Sequence, residues 1–377
     1  MNVLVIDQSV PRPHHNAGDR AISDLVSGLV DLGHDVAFYP DRFPEGFDAD
    51  TMVPDVDPAV VERLVGHVGE GPEGLAEWFE ANPPDLAIVS RPGTGALYLD
   101  LLETSPATAR VLFGHDLHAA RMERGVSFGS SMGRPAILAM TAVERRCWRH
   151  YDVSIYPSQN EADHVDRILG APGSALAVPI YRLGEGPAPS PEGRSGCAFV
   201  GAAAHAPNDD AVAWFGATIL PLIRRDLPDT TLTVIGDWPA HRRHELDGVT
   251  YTGMLDDDSL ESLMSQVRVS VAPVRWGAGV KRKVVAAMHR GIPVVSTSVG
   301  LEGVDVTTSD GRPRVIEADN AEDFAAGVTH LCTDDDAWRM LSAASHSSIT
   351  DQYGDDAYLQ AMVGFLDLAT ERCRARN

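Results

Sequence analysis

Lysine is almost missing from this chain. Its 377 residues hold only two, Lys281 and Lys283, and every other basic side chain among the 31 Lys+Arg is an arginine. Basic charge as a whole is scarce, because 54 Asp+Glu leave a formal net charge of -23. That balance argues against nucleic acid as a partner, since neutralising phosphates needs a basic face. It also repels an anionic substrate at long range, so any phosphate ligand must be gripped by local groups. Cysteine is scarce too. Cys147, Cys197, Cys332 and Cys373 stand far apart with no CxxC pair, which argues against structural zinc or a disulfide framework and for reduced thiols. No apolar run approaches the roughly 20 residues of a membrane helix. The opening Met1-Asn-Val-Leu-Val-Ile-Asp7 lacks the basic region and cleavage site of a signal peptide and reads as a buried strand. These absences predict a cytoplasmic protein with no integral membrane segment.

What is present is ordinary globular material, 44% hydrophobic and 23% charged, with length enough for two domains. Apolar runs at 3–6, 35–39, 86–89, 110–113 and 153–156 alternate with helical stretches such as 21–32, which Gly33 ends. Residues 41–74 are rich in proline and acid and predict a long loop with short helices. Gly184-Glu-Gly-Pro-Ala-Pro-Ser-Pro-Glu-Gly193 reads as a linker. A second series of strands follows at 197–200, 231–235, 267–272 and 293–296. Helices are expected near 209–225, 259–266, 280–290 and 321–332, and a last amphipathic one near 355–374. Strand–helix–strand alternation predicts parallel sheets. The fold class is α/β, with two Rossmann-like doubly wound domains facing a central cleft. The expected bounds are 1–183, a linker 184–196, 197–354, and a terminal helix 355–377.

Both lysines fall in one run, Pro273-Val-Arg-Trp-Gly-Ala-Gly-Val-Lys-Arg-Lys283, directly after a predicted strand. Glycines let a backbone approach a ligand closely. A helix opening at Val280 would aim its first N–H groups at the same spot. Glycines, cations and strand end together predict a local anion site. On a helix, positions 281 and 283 lie about 200° apart, so both cannot face one phosphate.

The second half resembles the donor-binding domain of GT-B glycosyltransferases of the retaining, group-1 kind. The residues that carry this are Phe199-Val-Gly-Ala-Ala-Ala-His-Ala-Pro-Asn208, Val234-Ile-Gly-Asp237, Tyr251-Thr-Gly-Met254, Ala272 to Lys281, and Gly291-Ile-Pro-Val-Val-Ser-Thr-Ser-Val-Gly-Leu-Glu-Gly303. The first half resembles the same family more loosely, through residues 3–7, Ser90-Arg-Pro92, Phe113-Gly-His-Asp-Leu-His118 and Tyr156-Pro-Ser158. The resemblance implies transfer of a sugar from a nucleoside-diphosphate sugar to a small-molecule or glycan acceptor. It also implies retention at the anomeric carbon and no metal or other cofactor. Donor contacts are implied at Gly18, Gly201, His205, Gly236, Gly253, Met254, Arg275, Gly277, Gly279, Val280, Lys281, Glu302 and Gly303, and catalytic roles at His115 and Asp116. It picks Lys281 as the phosphate cation and leaves Lys283 solvated or structural. It implies, too, that the last helix returns to brace the first domain.

The sequence departs from the family in one place. Where relatives carry a Glu, seven residues and a second Glu, this chain has Ala278 and Ala286. Arg282 shares the face of Ala286 and could read an extra phosphate, or could simply point to solvent. Asp116 could serve as a helix cap rather than at the sugar, Gly18 could be a plain turn glycine, and Asn208 reads as a cap for the helix after it. His241-Arg-Arg-His244 reads as a solvated helix face, and His14-His15 make a poor metal site without a third ligand. Two further classes stay open: a sugar-nucleotide epimerase or hydrolase on the same fold, and a nucleotide-binding pseudoenzyme, motivated by Ala286.

Overall fold

The structure is a computed structural model that describes residues 1–43, 56–65, 69–129, 132–183 and 190–377. Within the expected loop 41–74, residues 44–55 and 66–68 lie outside the described residues, as does the linker from 184 to 189; the described part holds the expected short helix, Pro58–Val61. The chain divides into two compact units, Met1–Arg182 with Asp355–Asn377, and Leu183–Gly354.

Unit one is built on six strands: β1 (Asn2–Asp7), β2 (Asp35–Pro40), β3 (Leu86–Ser90), β4 (Ala109–Phe113), β5 (Val153–Tyr156) and β6 (Ala175–Ala177). Their order is β2-β1-β3-β4-β5-β6, and every pairing is parallel. Strands β3, β4 and β5 are buried at every residue. Continuous apolar runs of this kind suit a sheet covered by helices on both faces. The terminal helix Asp355–Arg376 packs on the helix Ala17–Asp31 and on β4 and β5. It buries Tyr358, Met362, Phe365 and Leu366 there. Gly28 makes room for it, because a Cβ at that position would meet Met362 Sδ at 2.5 Å.

Unit two carries β7 (Ser195–Val200), β8 (Leu232–Ile235), β9 (Val249–Gly253), β10 (Val267–Ala272), β11 (Val294–Ser296) and β12 (Ile316–Glu317). Their order is β12-β11-β10-β7-β8-β9, again all parallel. The core between sheet and helices includes Phe199, Phe215, Val269, Phe324 and Val328.

Three sequence expectations need correction. The helix expected at 21–32 opens four residues earlier, at Ala17, because Asn16 caps it and accepts from the Asp19 N–H. The helix expected from Val280 opens at Arg282, with Lys281 as its N-cap, since Gly279 at φ 74° cannot be helical. The helix expected over 209–225 is three pieces, Ala206–Trp214, a π-helical turn Phe215–Ile219, and Leu220–Ile223. Pro221 offers no N–H to a regular helix there.

Candidate active site

In an open parallel sheet, ligands sit beyond the carboxyl ends of the strands, where strand order reverses. In unit two that point lies between β7 and β10. The loops leaving these strands are 201–205 and 273–281, the two stretches the sequence singled out.

Loop 273–281 is pinned from beneath. Ser296 Oγ donates to Ala272 O at 2.8 Å, and Thr297 Oγ1 donates to Val274 O. Gly277 (φ 149°) and Gly279 (φ 74°) then turn the chain through conformations that side chains resist. Lys281 Nζ donates to Gly279 O and lies 3.7 Å from Glu302 Oε2. Gly279, Val280, Lys281, Glu302 and Gly303 are therefore neighbours. Arg275 makes a paired interaction with the Asp210 carboxylate and lies 5.3 Å over the Trp214 ring. Much of its charge is balanced before any ligand arrives.

Lys283 turns elsewhere, and it is not solvated. Its ammonium donates to Asn208 Oδ1 and sits 4.0 Å from the centre of the Phe199 ring. Burial, helped by repulsion from Lys281, brings its pKa down to about 7. Asn208 is no cap either. The N-cap of its helix is His205, whose side chain makes no capping bond. Asn208 instead lies inside the helix and donates to Ala202 O at 2.9 Å. It thus joins Lys283 to loop 201–205.

That loop is braced by residues the sequence reading set aside. Arg242 donates to Ala203 O at 2.9 Å, Arg243 to Trp238 O at 2.8 Å, and His244 meets Asp209 at 3.1 Å. The 241–244 cluster is exposed at residues 241–243, as expected of a solvated face, but it sits on a short 3-10 turn and its arginines also brace the neighbouring loops. Gly201 and Gly236 are required by packing. A Cβ at Gly201 would strike the Asn208 side chain at 2.6 Å, and one at Gly236 would strike Gly201 O at 2.6 Å. Gly253 ends β9, and Met254 beyond it is 40% exposed. His205 is exposed at the sheet's carboxyl edge. Ala286 is buried on the helix Arg282–His289.

In unit one the order reverses between β1 and β3. Two non-glycine residues there hold positive φ, Arg91 at 71° just after β3 and His115 at 61° just after β4. Such backbone strain gathers at functional sites. Arg91 Nε donates to Asp7 at 3.1 Å and its Nη2 lies 3.6 Å from Asp19. Gly18 is not in a loop. It sits in the first helical turn and clears space for this guanidinium, since a Cβ would meet Arg91 Nη2 at 2.9 Å. Arg20 pairs with Asp24 one turn along its helix.

His115 Nε2 shares a hydrogen bond with Ser90 Oγ at 2.8 Å. Burial first, then Arg91, His118 and Arg121, hold its pKa well below the usual histidine range, so the ring is neutral. Asp116 pairs with Arg121 and lies 3.4 Å from His118 Nε2. It does not cap the following helix, whose N-cap is Leu117. That helix is met by Glu144, which accepts from the Ala119 N–H and whose pKa burial pushes up to about 7. Arg91 was missed as a site residue. Its signal was the following Pro92, which bars Arg91 from the helical region. Among the described residues, no three His, Cys, Asp or Glu side chains are grouped to hold a metal ion.

Two Rossmann-like domains of six parallel strands, each with loops gathered at its point of reversal, define the GT-B class. A family model described as "Glycosyl transferase 4-like domain" matches residues 17–182, and one described as "Glycosyl transferases group 1" matches residues 194–334. The chain belongs to the group 1 glycosyl transferases. Solved structures of the same fold include a sucrose-phosphate synthase from Thermosynechococcus elongatus, at TM-score 0.73 and 15% identity over 97% of this chain and 98% of that one. Another is HepE from Anabaena in complex with UDP, at TM-score 0.72 and 13% identity over 97% and 100%. A curated relative, an uncharacterized 44.6 kDa protein in the cps region of Klebsiella pneumoniae, is 27% identical over 164 residues. That match covers 41% of this chain and 42% of the relative, so the chain spans about two fifths of that protein's length.

Proposed function

We propose that this chain moves a sugar from a nucleoside-diphosphate sugar to a hydroxyl of a small-molecule or glycan acceptor, with anomeric retention and without a metal. The observation that carries the reading is loop 273–281, with Gly277, Gly279 and Lys281 at the switch point of the second sheet and Glu302 beside the ammonium. In the reaction, the bond from the anomeric carbon to the diphosphate oxygen breaks. A bond from that carbon to the acceptor oxygen forms, and the acceptor proton passes to the departing phosphate. Negative charge grows on the diphosphate as it leaves. A cation and backbone amides placed there stabilise the transition state more than the ground state. Lys281, whose ammonium meets Glu302 only at 3.7 Å, carries more of this than Arg275, whose guanidinium makes two hydrogen bonds to Asp210. Glu302 accepts from sugar hydroxyls. His115, being neutral, orients a hydroxyl rather than attracting the phosphate.

Relatives of the same fold support the donor class, since HepE was solved in complex with UDP. The test is a thermal-shift panel of UDP, GDP, dTDP and ADP sugars followed by product analysis. One nucleotide should raise the melting temperature by several degrees at saturating ligand, and turnover should need an acceptor and yield a retained linkage by NMR. Quantitative donor breakdown without any acceptor would instead assign an epimerase or hydrolase. Binding without turnover across a broad acceptor panel would assign a pseudoenzyme.

A further inference from the structure

Positive charge in this acidic chain is concentrated in one place besides the two lysines. Residues 118–150 hold six arginines against two glutamates, in a chain whose net charge is -23; Arg121 is matched by Asp116 and Arg146 by Asp100, so the excess rests on Arg124, Arg134, Arg145 and Arg149. One of those two glutamates, Glu144, is buried and has its pKa pushed up to about 7, so it offsets only about half a charge at neutral pH. Exposed apolar side chains gather on the same elements. Among the described residues the exposed large hydrophobics number ten, and Leu97, Val126, Phe128, Met132 and Leu138 make up half of them. The helix Arg134–His150 packs on the helices Pro92–Glu103 and His118–Val126, so these residues share one side of unit one. Along Arg134–His150, Arg134, Leu138, Ala142, Arg145 and Arg149 recur at helical spacing and all are exposed.

We propose that this face docks the enzyme on an anionic lipid bilayer as a peripheral protein. Exposed arginines beside exposed Leu, Phe, Val and Met give the two ingredients of interfacial binding, apolar insertion and attraction to anionic headgroups. An acidic protein partner would use the arginines but gives no reason for the exposed apolar cluster. The remaining acids do not defeat the attraction. At 0.1 M salt charges beyond about 10 Å are screened, so the bilayer senses the face turned toward it. No helix among the described residues is long and apolar enough to cross a membrane, so the contact would lie in the interface. The proposal holds for any acceptor the enzyme uses.

The test is sedimentation of the full chain with vesicles of phosphatidylcholine alone or with 30% phosphatidylglycerol. Binding is expected only to the anionic vesicles and should weaken with salt. Each arginine near such a surface is worth roughly fivefold in partitioning, so the triple variant R134E/R145E/R149E should bind at least about a hundredfold more weakly. Leu138→Asp should also weaken binding, and both variants should keep the wild-type circular dichroism and donor-induced thermal shift. Equal binding to both vesicle types, or anionic binding untouched by the triple variant, would overturn the proposal. So would anionic binding untouched by Leu138→Asp. Retention on an immobilised polyglutamate column together with failure to bind vesicles would move the face to an acidic protein partner.

Discussion

The two switch points of this molecule are built on one plan and charged in opposite senses. Behind β1, β3 and the adjoining β4, two arginines, Arg91 and Arg121, face three carboxylates, Asp7, Asp19 and Asp116. Behind β7 and β10, two cations, Arg275 and Lys281, face two carboxylates, Asp210 and Glu302, and Lys283, with its pKa brought down to about 7, adds about half a positive charge at neutral pH. The first fits neutral hydroxyl groups and the second fits an anion. The strain differs as well. Unit one forces Arg91 and His115 into positive φ, whereas unit two gives the same demand to Gly277 and Gly279. Glycine meets it cheaply where the backbone must approach a ligand. A side chain held there at a cost of order 1–3 kcal/mol implies that the side chain itself is wanted at that spot.

The sharpest test of this contrast is Lys281→Ala. Removing one preorganised charge that acts on a developing anion costs on the order of 10²–10³ in rate. Steady-state kinetics should show that loss in kcat/KM, with the fold intact by circular dichroism. A loss of less than about threefold would mean the anion sits elsewhere. Next in size is Gly300→Ala, which attacks the support of the same loop. Its Cβ would meet Ser296 Oγ at 2.1 Å and Ala272 O at 2.9 Å. Overpacking of this kind costs about 1–3 kcal/mol, readable as a lower denaturation midpoint. An unchanged midpoint would show that the loop is not rigidly held.

The two sites were not equally legible in the sequence. Unit two could be read because its features are local: the glycines and lysines stand within the eleven residues that directly follow the strand, and the parallel strands at both switch points announced themselves as apolar runs. Unit one's pairs are distant, Arg91 with Asp7 across 84 residues, and no local pattern records such a pairing. The strain at His115 is invisible for the same reason, since it follows from what surrounds the residue. Lys283 was half legible. Its helical angle from Lys281 said that it faces away, but not that Asn208 and Phe199 wait there, 75 and 84 positions earlier in the chain. The short strands β6, β9 and β12 were missed because two of them have only two or three residues and β9 alternates exposure at a sheet edge.

A smaller effect is expected at His115. His115→Asn tolerates positive φ and keeps a polar group near Ser90, so stability should change by less than about 1 kcal/mol. Transfer should fall by roughly tenfold, the value of an orienting hydrogen bond of about 1.4 kcal/mol. Because burial keeps His115 neutral, the wild-type pH–rate profile should show no limb near 6.5 that the variant abolishes. Such a limb would make the histidine a titrating base and undo the neutral reading of unit one.

The last test separates the two cations of unit two. With its folded pKa lowered to about 7 against an unfolded value near 10.4, Lys283 binds fewer protons when folded over that interval. The sign follows from linkage: the unfolded chain holds the extra proton, so stability rises with pH between about 7 and 10. Below pH 7 both states are protonated and the slope vanishes. Lys283→Met removes the titration, so the difference in melting temperature, wild type minus variant, should climb from pH 7 to pH 10 and be flat from pH 5 to pH 6.5. Taking the difference cancels every group the two proteins share. A flat difference throughout would mean that the Asn208 bond and the Phe199 ring hold the ammonium charged as firmly as water does, and that Lys283 stands as a full cation beside Lys281 at neutral pH.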